Sequence, residues 1–301
     1  MPFVIEALSP AIIGRPLGQN LYNQAGNLLL RKGTLINQRY FEFFKDKGYD
    51  SILLMPQGGD QTTAGVGSDR LLTAAPYLLK KMFKKLRLEE SVYTAQAKAE
   101  IISLAESIFI HFKNIRRKAP QIIELKRRDD YLYQHSVSVC LYSLYIGEKL
   151  GYSDNKLMDL AIAALIHDFG MEFVDGQVLK KDTELNEKEL AHIREHTKNG
   201  FSHLVKNCSF DGLTIVASAQ HHERFDGDGY PKKLVGNDID EFSRIVTLTD
   251  AFDAWTSDRP HRRLQSAQTA MTFIQKNQNK IFDPTIAQTF MEILLPEKLH
   301  F

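Results

Sequence analysis

The chain has 301 residues, 43% of them hydrophobic and 25% charged, with a formal net charge of +1. That length suits one large domain or two smaller ones, and the near-zero charge excludes a global field that draws a protein to a nucleic-acid polymer or a membrane. The two cysteines, Cys140 and Cys208, read as buried reduced thiols of a cytoplasmic protein, the N-terminal MPFVIEALSP lacks the basic start of a signal peptide, and no run of 18 apolar residues predicts membrane insertion.

Residues 1–55 read as a small regulatory α+β module. The β-like runs FVIEAL, AIIG, NLLL and SILLM surround one helical pattern near Gln38 to Lys47, and Asn23 to Gly26 reads as a hairpin turn. Residues 56–67, PQGGDQTTAGVG, read as a linker, since nothing there can bury a core. From Ser68 the pattern is helical to residue 301. Ile101, Leu104, Ile108, Phe112 and Ile115 recur at helical spacing, and this stripe is a candidate for pairing with a second subunit in a homodimer. The basic clusters Lys80–Arg87 and Lys113–Lys118 read as solvated helix faces, because acidic residues interleave and no aromatic platform accompanies them.

Further helices are expected from Asp130 to Lys149, ended by Gly151, and from Asp154 to His167. Another starts at Asn186, which has capping-box spacing to Glu189 and carries His192, His196 and His203 on one stripe to residue 204. Mainly α architecture follows, with β structure confined to the N-terminal module.

Histidines and aspartates accumulate along these helices. His135 shares a core-facing stripe with Val139, Tyr142 and Ile146, where a lone histidine is usually only hydrogen-bonded. His167 and Asp168 end an apolar helix, where a carboxylate is costly to bury without a cation or hydrogen bonds. His192 and His196 have the i, i+4 spacing that puts two imidazoles on one ion, and periodicity does not choose which faces inward. His221 and His222 diverge by about 100° on a helix, so both serve one site only if the backbone points between them. Asp250 and Asp253 are i, i+3, so one suits a metal and the other suits orienting a ligand. Mixed imidazole and carboxylate ligation suits Fe, Mn or Zn, and a bridging aspartate suits two divalent ions.

Residues 128–292 resemble the HD-GYP phosphodiesterases, a branch of the HD metal-dependent phosphohydrolases. The resemblance rests on three motifs and a late Phe282-Asp283-Pro284. The first is His167-Asp168-Phe169-Gly170. The second is His221, His222, Glu223, Asp226, Gly227, Gly229, Tyr230 and Pro231, continued by Leu234, Gly236 and Ile239. The third is Asp250, Asp253, Ala254, Arg259, Pro260 and Arg262. The family's other two histidines fall on His135 and His196.

This resemblance implies an all-helical HD-type domain and hydrolysis of cyclic di-GMP to pGpG or GMP by attack of a metal-bridging hydroxide. It implies one ion on His135, His167, Asp168 and Asp250, and a second on Asp168, His196, His221 and His222, with Asp168 bridging. Fe or Mn is expected, with Zn, Ni or Co as alternatives. Arg259 and Arg262 suit phosphate contact and equally suit local ion pairs. Tyr230 suits contact with guanine or with a partner such as a diguanylate cyclase-type (GGDEF) domain, and equally plain turn packing. Glu223 and Asp226 suit support of the site or capping of the turn. Met171 replaces the lysine that the family usually carries in HDxGK, Tyr131 replaces a glutamate that helps some members bind a third metal, and His261 replaces the tyrosine of RPYR. Two metals are therefore expected, together with either an active phosphodiesterase or a catalytically weak cyclic di-GMP-binding protein.

Overall fold

The computed structural model describes residues 4–18, 21–22, 28–46, 51–54, 66–116, 131–179, 181, 183–257 and 265–294. They divide into two compact units, residues 1–80 with 122–134, and residues 81–121 with 135–301.

The alternating apolar runs of the first unit form two antiparallel ladders. β1 (Val4–Ala7) pairs with β4 (Ser51–Leu54), with Val4 opposite Leu54 and Ala7 opposite Ser51. β2 (Leu21–Tyr22) pairs with β3 (Leu28–Leu30), while the expected turn at 23–26 lies outside the described residues. Helix α1 (Gln38–Asp46) inserts Phe44 into a core of Ile12, Leu17, Leu21, Ile36, Ile52 and Leu54. AIIG is not a strand. Pro10 opens a 3-10 turn over Pro10–Ile12 that buries Ile12, because a fixed φ favours a helical first turn. Most of the 56–67 linker lies outside the described residues, and residues 66 and 67 begin helix α2 (Val66–Leu86).

The second unit is helical. α3 (Ser91–Ile115) buries Ile101, Leu104, Ile108 and Phe112, and it packs on α5 (Asp154–Ile166) of the same chain. The stripe considered for a second subunit is thus covered from within. The nearby basic residues pair with carboxylates: Lys85 with Glu100 at 2.7 Å, Lys113 with Asp154 at 2.7 Å, and Arg116 with Glu148. α4 (Tyr131–Lys149) ends before Gly151 at φ +79°. Ser153 caps α5, whose residues 160–166 are all buried. A helix this apolar on every side must be central. It packs on α3, α9 (Gly212–Gln220) and α10 (Glu241–Thr256). A 3-10 turn over Phe169–Phe173 and the short α6 (Gly176–Leu179) follow it.

The expected 186–204 helix is two helices. α7 (Glu187–Arg194) starts with the full Asn186–Glu189 capping box, and α8 (His196–Asn207) resumes after a break at Glu195. α11 (Ala267–Lys276) and α12 (Pro284–Leu294) pack on α10. No described helix is long and apolar enough to cross a membrane. Cys140 and Cys208 are both buried and unbridged, with burial raising the Cys208 thiol to about 11.

Candidate metal centre

Helix ends position most of the polar residues that converge here. The last turn of α5 carries His167, which closes the helix, and Asp168 follows in the turn. His221 closes α9 and His222 lies one residue past it, so the chain turns between the two rings and both face one place. His196 opens α8 immediately after the break. His135 comes from α4, and Asp250 and Asp253 come from one face of α10.

A glycine pair allows the close approach. Gly170 follows His167 and Asp168 in the 3-10 turn, and Gly200 lies on α8 one turn after His196. A Cβ on Gly170 would lie 1.9 Å from the His196 carbonyl oxygen, and one on Gly200 would lie 2.8 Å from the Gly170 nitrogen. Backbone touches backbone there, and only glycine leaves room.

Two groups of potential ligand atoms result: His135, His167 and Asp250, and Asp168, His196, His221 and His222. Within each group the atoms lie within 4.8 Å of one another. Asp168 faces both. Its Oδ2 is 3.6 Å from His167 Nε2 and 3.9 Å from His135 Nε2, and its Oδ1 is 3.4 Å from both His196 Nε2 and His221 Nε2. Asp250 Oδ1 is 3.0 Å from His135 Nε2. Asp168 and Asp250 retain 14% and 17% side-chain exposure, so the cluster opens to solvent on their side.

The other ring nitrogens fix the tautomers. His167 Nδ1 bonds the Ala164 carbonyl at 2.8 Å, His196 Nδ1 that of Ile193 at 2.6 Å, and His221 Nδ1 that of Ala217 at 2.8 Å. A carbonyl can only accept, so each Nδ1 carries the proton and each neutral ring offers an Nε2 lone pair to the cluster. His135 Nδ1 meets Asp253 Oδ2 at 2.6 Å and is held the same way. Asp253 orients this imidazole and does not join either group of potential ligands.

The donor set fits a cation. His196 Nε2 and His221 Nε2 lie 3.3 Å apart, and two neutral rings in these tautomers would point lone pairs at each other. Buried His167 Nε2 has no hydrogen-bond partner among the described residues. Metal–ligand bonds of about 2.0–2.2 Å around one ion span separations of this size. The cluster is therefore able to hold divalent metal. The pKa directions agree. Burial lowers His135, but Asp250 and Asp253 outweigh it and raise the ring to about 9. Burial likewise opposes charge on His196, and Asp168 raises it. His167 is lowered to about 4 by burial, and His222 falls well below its ordinary range, through burial and then through His221. Burial raises the Asp168 and Asp250 carboxyls, but the histidines around them lower both well below the carboxylate range.

The other candidates divide. His192 lies outside the cluster, accepting from the Asp175 backbone and facing Glu195 at 3.6 Å. His203 bonds the Leu86 carbonyl at 2.7 Å and packs on Phe169 and Phe173, as a core histidine. Glu223 accepts from the Lys232 and Leu234 backbone at 2.7 and 3.0 Å, and Asp226 accepts from Asp228 N and pairs with Arg224. Both brace the loop around Gly227, Gly229 and Tyr230. Tyr230 stacks on His222 at 4.8 Å, with an interplanar angle of 24°. Arg259 and Arg262 lie outside the described residues. Arg194, which the sequence did not single out, lies 5.3 Å over the Tyr230 ring. Its break-point position becomes visible only once α7 and α8 separate.

Residues 115–286 match the model of the HD domain family. The chain is 29% identical over 222 residues to a cyclic di-GMP phosphodiesterase of Pseudomonas aeruginosa, covering 74% of this chain and 52% of that protein. It is 34% identical over 157 residues to 3'3'-cGAMP-specific phosphodiesterase 3 of Vibrio cholerae, covering 52% of this chain and 34% of that protein. The chain thus spans about half the length, or less, of these curated relatives. The solved structure of Bd1817, an HDG"Y"P protein from Bdellovibrio bacteriovorus, shares the fold with a TM-score of 0.61 at 19% identity, covering 97% of this chain and 99% of that one. With a family match over more than half its length and the histidine–aspartate cluster inside that match, the chain belongs to the HD domain family and carries the motifs of its HD-GYP branch.

Proposed function

We propose that the chain is a metal-dependent phosphodiesterase that hydrolyses cyclic di-GMP to pGpG or GMP. One observation carries the reading: the Asp168 carboxylate turns one oxygen to His135 and His167 and the other to His196 and His221. A carboxylate shared in this way suits two ions held close together. His135, His167, Asp168 and Asp250 would hold one, Asp168, His196, His221 and His222 the other, and Fe or Mn best suits this donor set. Such ions, when bound, polarise the anionic phosphodiester and lower the pKa of water. The chain's own residues fix the Nδ1 protons of His167, His196 and His221 on backbone carbonyls, so that each Nε2 faces the site, and the surrounding histidines hold Asp168 ionised. Tyr230, Arg259 and Arg262 are the proposed substrate contacts.

Residues 1–55 would act as a regulatory module and 56–67 as a linker to the catalytic domain of residues 68–301. The relatives' names support a cyclic dinucleotide as substrate, and the loop of Tyr230 would receive a GGDEF-type partner. A cytoplasmic location completes the proposal.

Product chromatography with Mn(II) or Fe(II) tests it. Wild type should convert cyclic di-GMP, and Asp168→Ala should not. Equal turnover in both proteins overturns the site, and conversion of 3'3'-cGAMP alone reassigns the substrate. Met171, uncharged where the family usually carries a lysine, favours a second reading in which the cluster binds the nucleotide and turns it over poorly. In that case Met171→Lys raises the rate. Binding without turnover under Mn, Fe, Ni or Co selects this second reading.

A further inference from the structure

Arg194 ends α7, and its side chain is exposed. Its backbone is fixed at the same junction that aims His196 inward: Ile193 O accepts from His196 Nδ1 at 2.6 Å, and Arg194 O accepts from Thr197 Oγ1 at 3.1 Å. The guanidinium carbon lies 5.3 Å from the Tyr230 ring centre, and Tyr230 stacks on His222 at 4.8 Å. Guanidinium, phenol and imidazole thus connect the exposed surface to the metal cluster. The acids near α7 and the loop have other partners: Glu189 pairs with Lys181, Glu195 faces His192, and Asp226 pairs with Arg224. No carboxylate among the described residues pairs with Arg194. An aromatic face holds a guanidinium in place without neutralising it, so the fork stays available to an anion.

We propose that Arg194 is a specificity residue that binds the second phosphate of a cyclic dinucleotide, the diester that is not being cut. This rests on the phosphodiesterase reading above. The site would hold the scissile phosphate, and Arg194, two stacking steps from His222, meets a phosphate one nucleoside further on. Bidentate contact from a planar fork selects a phosphate in that place. A small diester with a single phosphate has nothing to offer this residue.

The test uses the full chain and Arg194→Ala and Arg194→Lys. Rapid-mixing binding of cyclic di-GMP to the Mn(II)-loaded chain, read before turnover, reports the contact directly. Arg194→Ala should raise Kd about tenfold or more, the loss expected for a hydrogen bond to a charged group, and should weaken the dependence of Kd on salt. Arg194→Lys should recover part of the affinity. Mn(II)-supported hydrolysis of bis(p-nitrophenyl) phosphate should stay within about twofold of wild type in both variants, whereas a merely structural role would lower both readouts together. Wild-type Kd in Arg194→Ala, or an equal loss on the small diester, overturns the proposal while leaving the phosphodiesterase reading intact. A wild type that neither binds nor cuts cyclic dinucleotides overturns that reading, and the role of Arg194 with it.

Discussion

His135 Nδ1 and Asp253 Oδ2 meet at 2.6 Å across 118 positions of sequence, inside a contact that neither residue exposes to solvent. α4 and α10 also join through Tyr142 against Phe252 and through Ser143 with Thr249. The pair therefore sets the His135 ring on a packed helix interface, with Nε2 toward Asp250.

Removing that partner should loosen the ring. For Asp253→Asn we expect a loss of about 10–100-fold in metal affinity or activity, the range found for groups that orient a ligand histidine. Metal analysis after dialysis, together with steady-state rates, checks this, and unchanged values would deny Asp253 an orienting role.

Metal uptake should depend on pH. Without metal, His135 is raised to about 9 by Asp250 and Asp253 against the opposing effect of burial, so at pH 7 it carries a proton that a divalent ion must displace. Affinity should rise by about tenfold per pH unit between 7 and 9 and level off above. Titration calorimetry at pH 7, in two buffers of different ionisation enthalpy, should show proton release, and identical heats would refute it.

Stability of the metal-free protein should follow the same groups in opposite directions. His135 has a folded pKa above its ordinary 6.5, so its contribution is complete below 6.5 and is lost as pH rises through about 9. His167 is lowered to about 4 by burial, so its contribution is present above 6.5 and is lost as pH falls from 6.5 toward 4. Thermal unfolding in EDTA should therefore show a lower Tm at pH 9.5 and at pH 4.5 than at pH 7, and added metal should remove much of the alkaline loss.

Gly170 and Gly200 should tolerate no side chain. A Cβ at Gly170 meets the His196 carbonyl oxygen at 1.9 Å, and the obstacle is backbone. Gly170→Ala should cost at least about 1–3 kcal/mol, as overpacking does, and should separate Asp168 from His196. Chemical denaturation measures the cost, and metal stoichiometry measures the separation. Wild-type values for both would remove the glycine pair from the account.

The local chemistry of this protein was legible in its sequence. The Asn186–Glu189 cap, the helix closed at His167 and the Gly151 stop depend on neighbours a few residues away, and short-range sterics and hydrogen bonds determine them. The motif residues announced the donor types for the same reason, because imidazoles and carboxylates on apolar helices call for a cation. Spacing could not choose between His192 and His196. The choice fell to the break at Glu195 and to the close contact of Gly170 with Gly200, which admits one ring to the cluster and leaves the other at the surface. Proline geometry turned AIIG away from the sheet, and α5 covered the α3 stripe that sequence alone left open to a partner. Which oxygen of Asp168 faces which histidines, and which carbonyls hold the rings, depends on five helices and one turn meeting from distant parts of the chain. Sequence determined the ligand types, and only tertiary packing, acting through nonlocal backbone contacts, decided their geometry.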